Sequence, residues 1–197
     1  FLGTFRFANW YFESYAKKEG VLNIIRAIAR SNDIFFYRVG QYVGEKGLAD
    51  MAFKLGFGKK TGLDFPSEEQ GLIPTPEWKK AAKNEPWLPG NTLHMAIGQG
   101  DVLTTPLQVS NMTTFVASNG LLFKPYLVSQ ITDSNGRVVK IFEPKIVAKN
   151  LVKADNLNLV KEGMRQACET GGTGWPFFDF TVKKVTGENV RIPVGCK

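Results

Sequence analysis

Between Gly56 and Asn91 the chain reads GFGKKTGLDFPSEEQGLIPTPEWKKAAKNEPWLPGN, so dense in glycine and proline that no helical or strand period survives for long. Such an excursion is uncommon inside a compact domain, and where it occurs it more often carries function than idle length. Only one helical turn is expected within it, from Pro76, because Thr75 offers an N-cap hydroxyl and proline suits the first helical position. The periodic chain on either side must therefore supply the core and hold this segment in place.

Before the excursion the pattern is helical. Residues 21–30, VLNIIRAIAR, place Val21, Ile25 and Ile28 on one side of a short helix. A polar break, Ser31-Asn32-Asp33, separates it from a second helix with Phe35, Val39, Tyr42 and Val43 in one stripe, closed by Gly44. A third follows with Leu48, Met51, Ala52 and Leu55, stopped at Gly56. After the excursion, TLHMAIGQG reads as a buried strand. Thr105-Pro106 opens a helix with Leu107, Met112, Phe115 and Val116 inward, ended at Asn119-Gly120. YLVSQITD and RVVKIFEP flank Ser134-Asn135-Gly136, a strong hairpin signal. Residues 153–170 form an amphipathic helix with Leu157, Val160, Met164, Ala167 and Cys168 on one side. VRIPVGCK closes the chain as a strand with Val190, Ile192, Val194 and Cys196 on one face and Arg191, Gly195 and Lys197 on the other. Helices, then strands, then a helix and strands again predict one α+β domain with an antiparallel sheet.

Composition excludes several classes. With 197 residues, 43% hydrophobic and 22% charged, the chain can bury a core and is not a disordered protein. No run of about 18 apolar residues could cross a membrane, and the opening FLGTFRFANW lacks the basic-then-apolar layout of a signal peptide. The +7 balance is spread over scattered doublets such as Lys17-Lys18, Lys59-Lys60, Lys79-Lys80 and Lys183-Lys184, which read as a solvated basic surface rather than a nucleic-acid stripe. Cys168 and Cys196 stand in no CxxC and far in sequence from His94; they predict neither a zinc site nor a disulfide scaffold, and read as two core thiols, with His94 a packed histidine and the redox compartment left open. No metal and no cofactor is expected.

Candidate chemistry narrows quickly. Gly58-Lys59-Lys60-Thr61 misses the phosphate-loop pattern by one residue and follows no strand. Glu68-Glu69 reads as a solvated pair of carboxylates. Ser31-Asn32-Asp33 admits two readings: a helix start, with Ser31 as N-cap and Asp33 in the first turn, or side chains offered to a cleft between two helices. Lys197 bears on that choice, since a hydroxyl, a carboxylate and a strand-borne lysine are parts of a serine acyltransferase that uses lysine in place of histidine.

The order SND with IFFYRVGQYVG, LGFGKKTGLDFPSEEQGLIP, EWK, PWLPGNT, AIGQGDVLTTPLQ and a terminal GCK resembles, collinearly over essentially the whole chain, the transpeptidase domain of class B penicillin-binding proteins, the elongation-type penicillin-binding protein 2-like group. The resemblance implies the penicillin-binding protein/serine beta-lactamase-like fold: an antiparallel sheet flanked by helices, plus a helical subdomain. It makes Ser31 to Asp33 the second site motif and Lys197 the first residue of the third, Lys-Thr/Ser-Gly. The SxxK nucleophile segment is then expected upstream of residue 1 and the rest of the third motif beyond Lys197, so that residues 1–197 are a partial domain, inactive alone. Ser14-Tyr15-Ala16-Lys17 spells SxxK and Lys60-Thr61-Gly62 spells KTG, but both are read as decoys, the first too close to Ser31 and the second a turn within TGLD.

By the same resemblance the activity is serine-type D,D-transpeptidation in peptidoglycan synthesis. Ser31, Asp33 and Lys197 would be catalytic, and Asn32 and Lys197 substrate-binding. Peptidoglycan stem peptides, beta-lactam antibiotics and a cell-wall glycosyltransferase would be the partners, with no nucleic acid. The location would be the bacterial envelope, on the extracytoplasmic side of an inner-membrane anchor. The alternative is a non-catalytic peptidoglycan-binding or scaffold module of the same fold.

Overall fold

The structure, a computed structural model, describes residues 10–197. Segment 1–9, which holds most of the opening read above as unlike a signal peptide, lies outside the described residues. In chain order the elements are α1 (Trp10–Tyr15), α2 (Ile24–Ala29), α3 (Asp33–Lys54), α4 (Pro76–Lys83), α5 (Pro89–Ala96), α6 (Pro106–Ala117), β1 (Leu121–Lys124), β2 (Gln130–Thr132), β3 (Val138–Ile141), β4 (Lys145–Lys149), α7 (Ala154–Ala167), a 3-10 turn (Trp175–Phe177), β5 (Thr181–Lys183) and β6 (Asn189–Arg191). The class is α+β, as expected. Among the described residues the strands form three separate antiparallel pairs, β1 with β4, β2 with β3 and β5 with β6, rather than one sheet. No helix is long and apolar enough to cross a membrane among the described residues.

The chain divides into two compact units, Phe1–Tyr42 with Asp155–Lys197, and Val43–Ala154. The division falls beside Gly44, whose φ of 73° breaks α3 into two helical stretches where the sequence predicted a stop. The stripe expected on the first stretch is only partly realised, because Tyr42 and Val43 are exposed.

In the first unit α2 and α7 meet where Gly163 lies against Ile28. Asn23 caps α2 by accepting the Arg26 N–H, so the helix starts at Ile24, and Val21, expected inside, is exposed. Ala27, Ile28 and Ala29 are buried, as are Leu157 and Ala167 of α7 and Cys168 just after it. Close approach is permitted by Gly163: a Cβ there would sit 2.7 Å from the Ile28 Cβ.

The second unit shows how the glycine- and proline-rich excursion is held. Ala49, Ile73 and Met95 form a small core with Leu48, Ala52, Phe57, Trp87 and Val102 packed around it. Thr75 caps α4 as expected. PWLPGNT starts a helix that runs on into TLHMAIGQG: Pro89 stands in the first turn of α5, the Asn91 Oδ1 accepts the Leu88 N–H at 2.8 Å, and the Trp87 indole donates to the Thr92 hydroxyl at 2.9 Å. The strand reading of TLHMAIGQG was therefore wrong, and His94 is exposed on that helix rather than packed. Glu68 is not a solvated carboxylate either, since it accepts the Thr61 and Gly62 N–H groups at 2.5 and 3.0 Å. Lys79, taken above as solvated basic surface, is buried and pairs with Asp101 at 3.2 Å and Glu85 at 3.1 Å. Gln108, 2% exposed, joins the whole arrangement. Its Oε1 accepts the Thr105 N–H, and its Nε2 donates to the Lys59 and Gln70 carbonyls, both at 2.8 Å. The hairpin forms as expected, its turn closed by Asp133, whose carboxylate accepts the Asn135 and Arg137 N–H groups.

Candidate active site

The Ser31-Asn32-Asp33 break is both the end of one helix and the start of the next. The Ser31 N–H donates to the Ile28 carbonyl at 3.1 Å and the Asn32 N–H to the Ala27 carbonyl at 3.0 Å, the paired bonds of a Schellman stop. That motif places Ser31 at φ 46°, the left-handed position usually taken by glycine. A non-glycine residue held there costs about 1 kcal/mol or more, and such strain gathers at functional sites. Asn32, 5% exposed, then starts α3, its Oδ1 accepting the Phe35 N–H at 2.9 Å. The N-cap is thus Asn32 and not Ser31, as the helix-start reading had it. Asp33 occupies the first turn of α3.

With both helix ends satisfied by other groups, the Ser31 hydroxyl takes no part in either cap. It accepts a hydrogen bond from the Lys197 Nζ at 2.7 Å, across 166 residues of chain. The terminal segment does not reach it as a strand, for β6 ends at Arg191 and residues 192–197 have no strand pairing. Instead the Cys196 N–H donates to the Met164 carbonyl of α7 at 3.0 Å. Cys196 is disulfide-bonded to Cys168, with Cα atoms 5.6 Å apart; this corrects the reading of the two cysteines as separate core thiols. Gly195 lies along Met164, where a Cβ would make ordinary contact at 3.5 Å.

Both sides of the site are thereby hung on the α2–α7 pair. The Arg30 guanidinium donates to the Gly171 carbonyl at 3.0 Å, and the Thr173 hydroxyl to the Ala29 carbonyl at 3.3 Å. The Lys197 residue keeps solvent contact, yet burial around its ammonium lowers its pKa from the ordinary 10.5, while the Asp33 carboxylate opposes that shift. Burial and the same carboxylate push the Tyr37 phenol up. The arrangement can hand a proton along a serine hydroxyl and set a positive charge beside it.

Of the expected site residues, Ser31 and Lys197 are hydrogen-bonded to each other. Asp33 is near enough to act on the lysine's charge, and Asn32 is buried in the turn with its Oδ1 on the backbone. The Ser14 decoy has no helical partner: α1 ends at Tyr15 and Ala16 turns to φ 52°, ahead of Lys17. The KTG decoy lies in the Glu68-capped loop. Among the described residues no cluster of three His, Cys, Asp or Glu side chains could hold a metal ion.

The family model described as the penicillin-binding protein transpeptidase domain matches residues 3–187. The chain belongs to the penicillin-binding protein transpeptidase family. It is 32% identical over 189 residues to the peptidoglycan D,D-transpeptidase MrdA of Haemophilus influenzae, an alignment covering 94% of this chain and 28% of that protein. It is likewise similar to solved structures of penicillin-binding protein 2. The Pseudomonas aeruginosa protein in complex with WCK 5153 gives a TM-score of 0.70 at 31% identity, over 86% of this chain and 36% of that one. The Helicobacter pylori protein in complex with MreC gives 0.69 at 31% identity, over 89% and 30%. The chain spans about a quarter of the length of the curated relatives it matches. The transpeptidase resemblance of the sequence is that of the elongation-type, MrdA-like group.

Proposed function

We propose that this chain furnishes the second and third motifs of a peptidoglycan D,D-transpeptidase that cross-links stem peptides during cell-wall synthesis. The observation that carries the reading is the 2.7 Å hydrogen bond from the Lys197 ammonium to a Ser31 hydroxyl that neither helix end uses. In the reaction a serine of the SxxK motif attacks the penultimate D-Ala carbonyl of a stem peptide. The terminal D-Ala leaves with a proton, and the amine of a neighbouring stem takes the acyl group and releases the serine. A serine hydroxyl is a poor nucleophile at neutral pH, so its proton must pass to a nearby base.

In this reading Ser31 relays the proton to the leaving amine and Asp33 orients the lysine of the SxxK motif. Lys197 holds Ser31 and draws the substrate's terminal carboxylate. Asn32 serves by fixing the turn that presents Ser31. Beta-lactams, which resemble the D-Ala-D-Ala end, acylate the same serine. A growing glycan strand must be supplied, so a cell-wall glycosyltransferase is the proposed partner, and the substrate puts the domain in the envelope, outside the inner membrane. The MreC complex of the Helicobacter pylori relative supports assembly with other envelope proteins.

The test is Ser31→Ala in the full-length protein, followed by acylation with a fluorescent penicillin. Loss of a positioned proton-transfer group is expected to slow acylation by about 10²- to 10⁴-fold. An unchanged rate would return Ser31-Asn32-Asp33 to a plain helix junction and leave the chain as a non-catalytic module.

A further inference from the structure

Lys197 has no strand ladder to hold it. The residues before it carry no strand pairing, and the segment meets α7 through one main-chain hydrogen bond and one covalent bond. The main-chain bond is Cys196 N–H to the Met164 carbonyl, and the covalent bond is Cys196 to Cys168. Cys168 is 3% exposed and sits at the end of α7, just before the turn that returns to α2. That turn is fixed by the Gly174 N–H on the Ala167 carbonyl at 2.7 Å, and it reaches α2 through Thr173 on Ala29 and Gly171 on Arg30. The residue after Arg30 is Ser31. From lysine to serine the connection therefore runs Lys197, Cys196, Cys168, the 171–174 turn, Ala29-Arg30 and Ser31.

We propose that the Cys168–Cys196 disulfide is a positioning brace for the site, holding the terminal segment against α7 so that the Lys197 ammonium stays on the Ser31 hydroxyl. The proposal rests on the transpeptidase reading for its consequence in catalysis, and on the fold alone for its consequence at Lys197. A small loss of registry is enough to matter, since displacement of a catalytic group by about 1 Å can cost 10²-fold. The brace forms when the two thiols give up two protons and two electrons to a disulfide-bearing oxidoreductase, whose own disulfide becomes a dithiol. Dithiothreitol reverses this by exchange, restoring both thiols and closing to its cyclic disulfide. A cavity of about 280 Å³, lined by Cys168 together with Arg165, Glu169, Phe177, Arg191 and the segment after it, lies on this side of the brace.

The experiment uses the full-length protein purified without reductant. Peptide mapping under non-reducing conditions is expected to find the Cys168 and Cys196 peptides linked; free thiols at both would overturn the brace. Acylation by a fluorescent penicillin is then compared for the oxidised protein, the dithiothreitol-reduced protein, the reoxidised protein and a Cys168→Ala/Cys196→Ala variant. Reduction should slow acylation between about tenfold and a hundredfold. Reoxidation should restore the rate, and the double variant should be slow and indifferent to reductant. In parallel, labelling of the Lys197 amine, read by mass spectrometry, should become several-fold faster on reduction while circular dichroism shows the fold intact at the assay temperature. An acylation rate untouched by reduction, or Lys197 labelling that rises only as the whole protein melts, would overturn the proposal. If the oxidised protein is not acylated at all, the transpeptidase reading fails while the labelling arm still decides the brace.

Discussion

Gln108 offers a quantitative test of how the glycine- and proline-rich excursion is held. Its amide makes three side-chain hydrogen bonds with 2% exposure: Oε1 accepts from the Thr105 N–H, and Nε2 donates to the carbonyls of Lys59 and Gln70. Gln108→Glu keeps the shape and the acceptor but replaces the donor with an oxygen facing two carbonyls. Each lost bond is worth about 1 kcal/mol net, and a buried carbonyl left without a partner adds up to about 1–3 kcal/mol. A loss near 3 kcal/mol is therefore expected, the two carbonyls recovering some hydration as the loop loosens. The effect should be local, so the assay is amide hydrogen exchange. The Leu72 N–H, which bonds the Leu103 carbonyl at 2.7 Å beside this clamp, should exchange roughly a hundredfold faster in the variant, while the Phe142 N–H of the hairpin should not change. Burial raises the pKa of the introduced carboxyl, so the folded state binds its proton more tightly than the unfolded state and the damage must grow as pH rises. Near pH 4, about the ordinary glutamate pKa, the protonated carboxyl of the variant again donates one bond and part of the protection should return. Exchange at Leu72 within about threefold of wild type at neutral pH would refute the clamp.

Gly71 has φ +65°, and a Cβ there would lie 2.4 Å from the Leu103 carbonyl oxygen, so Gly71→Ala should destabilise the second unit by about 1–3 kcal/mol, visible as a lowered thermal midpoint. For Lys197, burial lowers the folded pKa and Asp33 opposes it, so between that folded value and 10.5 the folded state binds fewer protons and stability rises with pH. Asp33→Asn removes the opposing charge, and the Lys197 titration followed by NMR of the methylated amine should shift to lower pH; a shift upward or none would show that Asp33 does not act on it.

What the sequence revealed depended on how far apart the partners lie along the chain. Caps and turns were legible because their donors and acceptors are close in sequence: Thr75 on Trp78, Thr105 with Gln108, and the hairpin turn at Ser134-Asn135-Gly136, which Asp133 closes in the structure. The misread segment TLHMAIGQG failed on the same scale. A short apolar run looks alike as strand or helix, and the deciding signals, Pro89 in the first turn and Asn91 reaching back to Leu88, lie just before it. The buried Lys79 was illegible because one of its partners, Asp101, is 22 residues away. A lysine doublet has the same spelling whether solvated or paired.

The site shows the same limit in a sharper form. Reading Ser31 as an N-cap applied a sound local rule to the wrong element, for Ser31 closes α2 and Asn32 opens α3. A residue at such a helix stop is driven into the left-handed region, and glycine would take that position at less cost. A serine there, with its hydroxyl unused by either helix, is therefore a local anomaly whose explanation must be non-local. The lysine 166 residues away supplies it, and the bond that holds that lysine's neighbour spans 28 residues. A two-residue helix junction fixes where the hydroxyl is, but nothing near it in sequence can fix where the ammonium is. That task falls to α7, which packs on α2 through Gly163 and carries at its end the sulfur that Cys196 binds. The geometry of Ser31 and Lys197 is therefore a property of the α2–α7 pair, and changes at Gly163 or Cys168, neither of which touches the hydrogen bond, should disturb it as surely as changes within the motif.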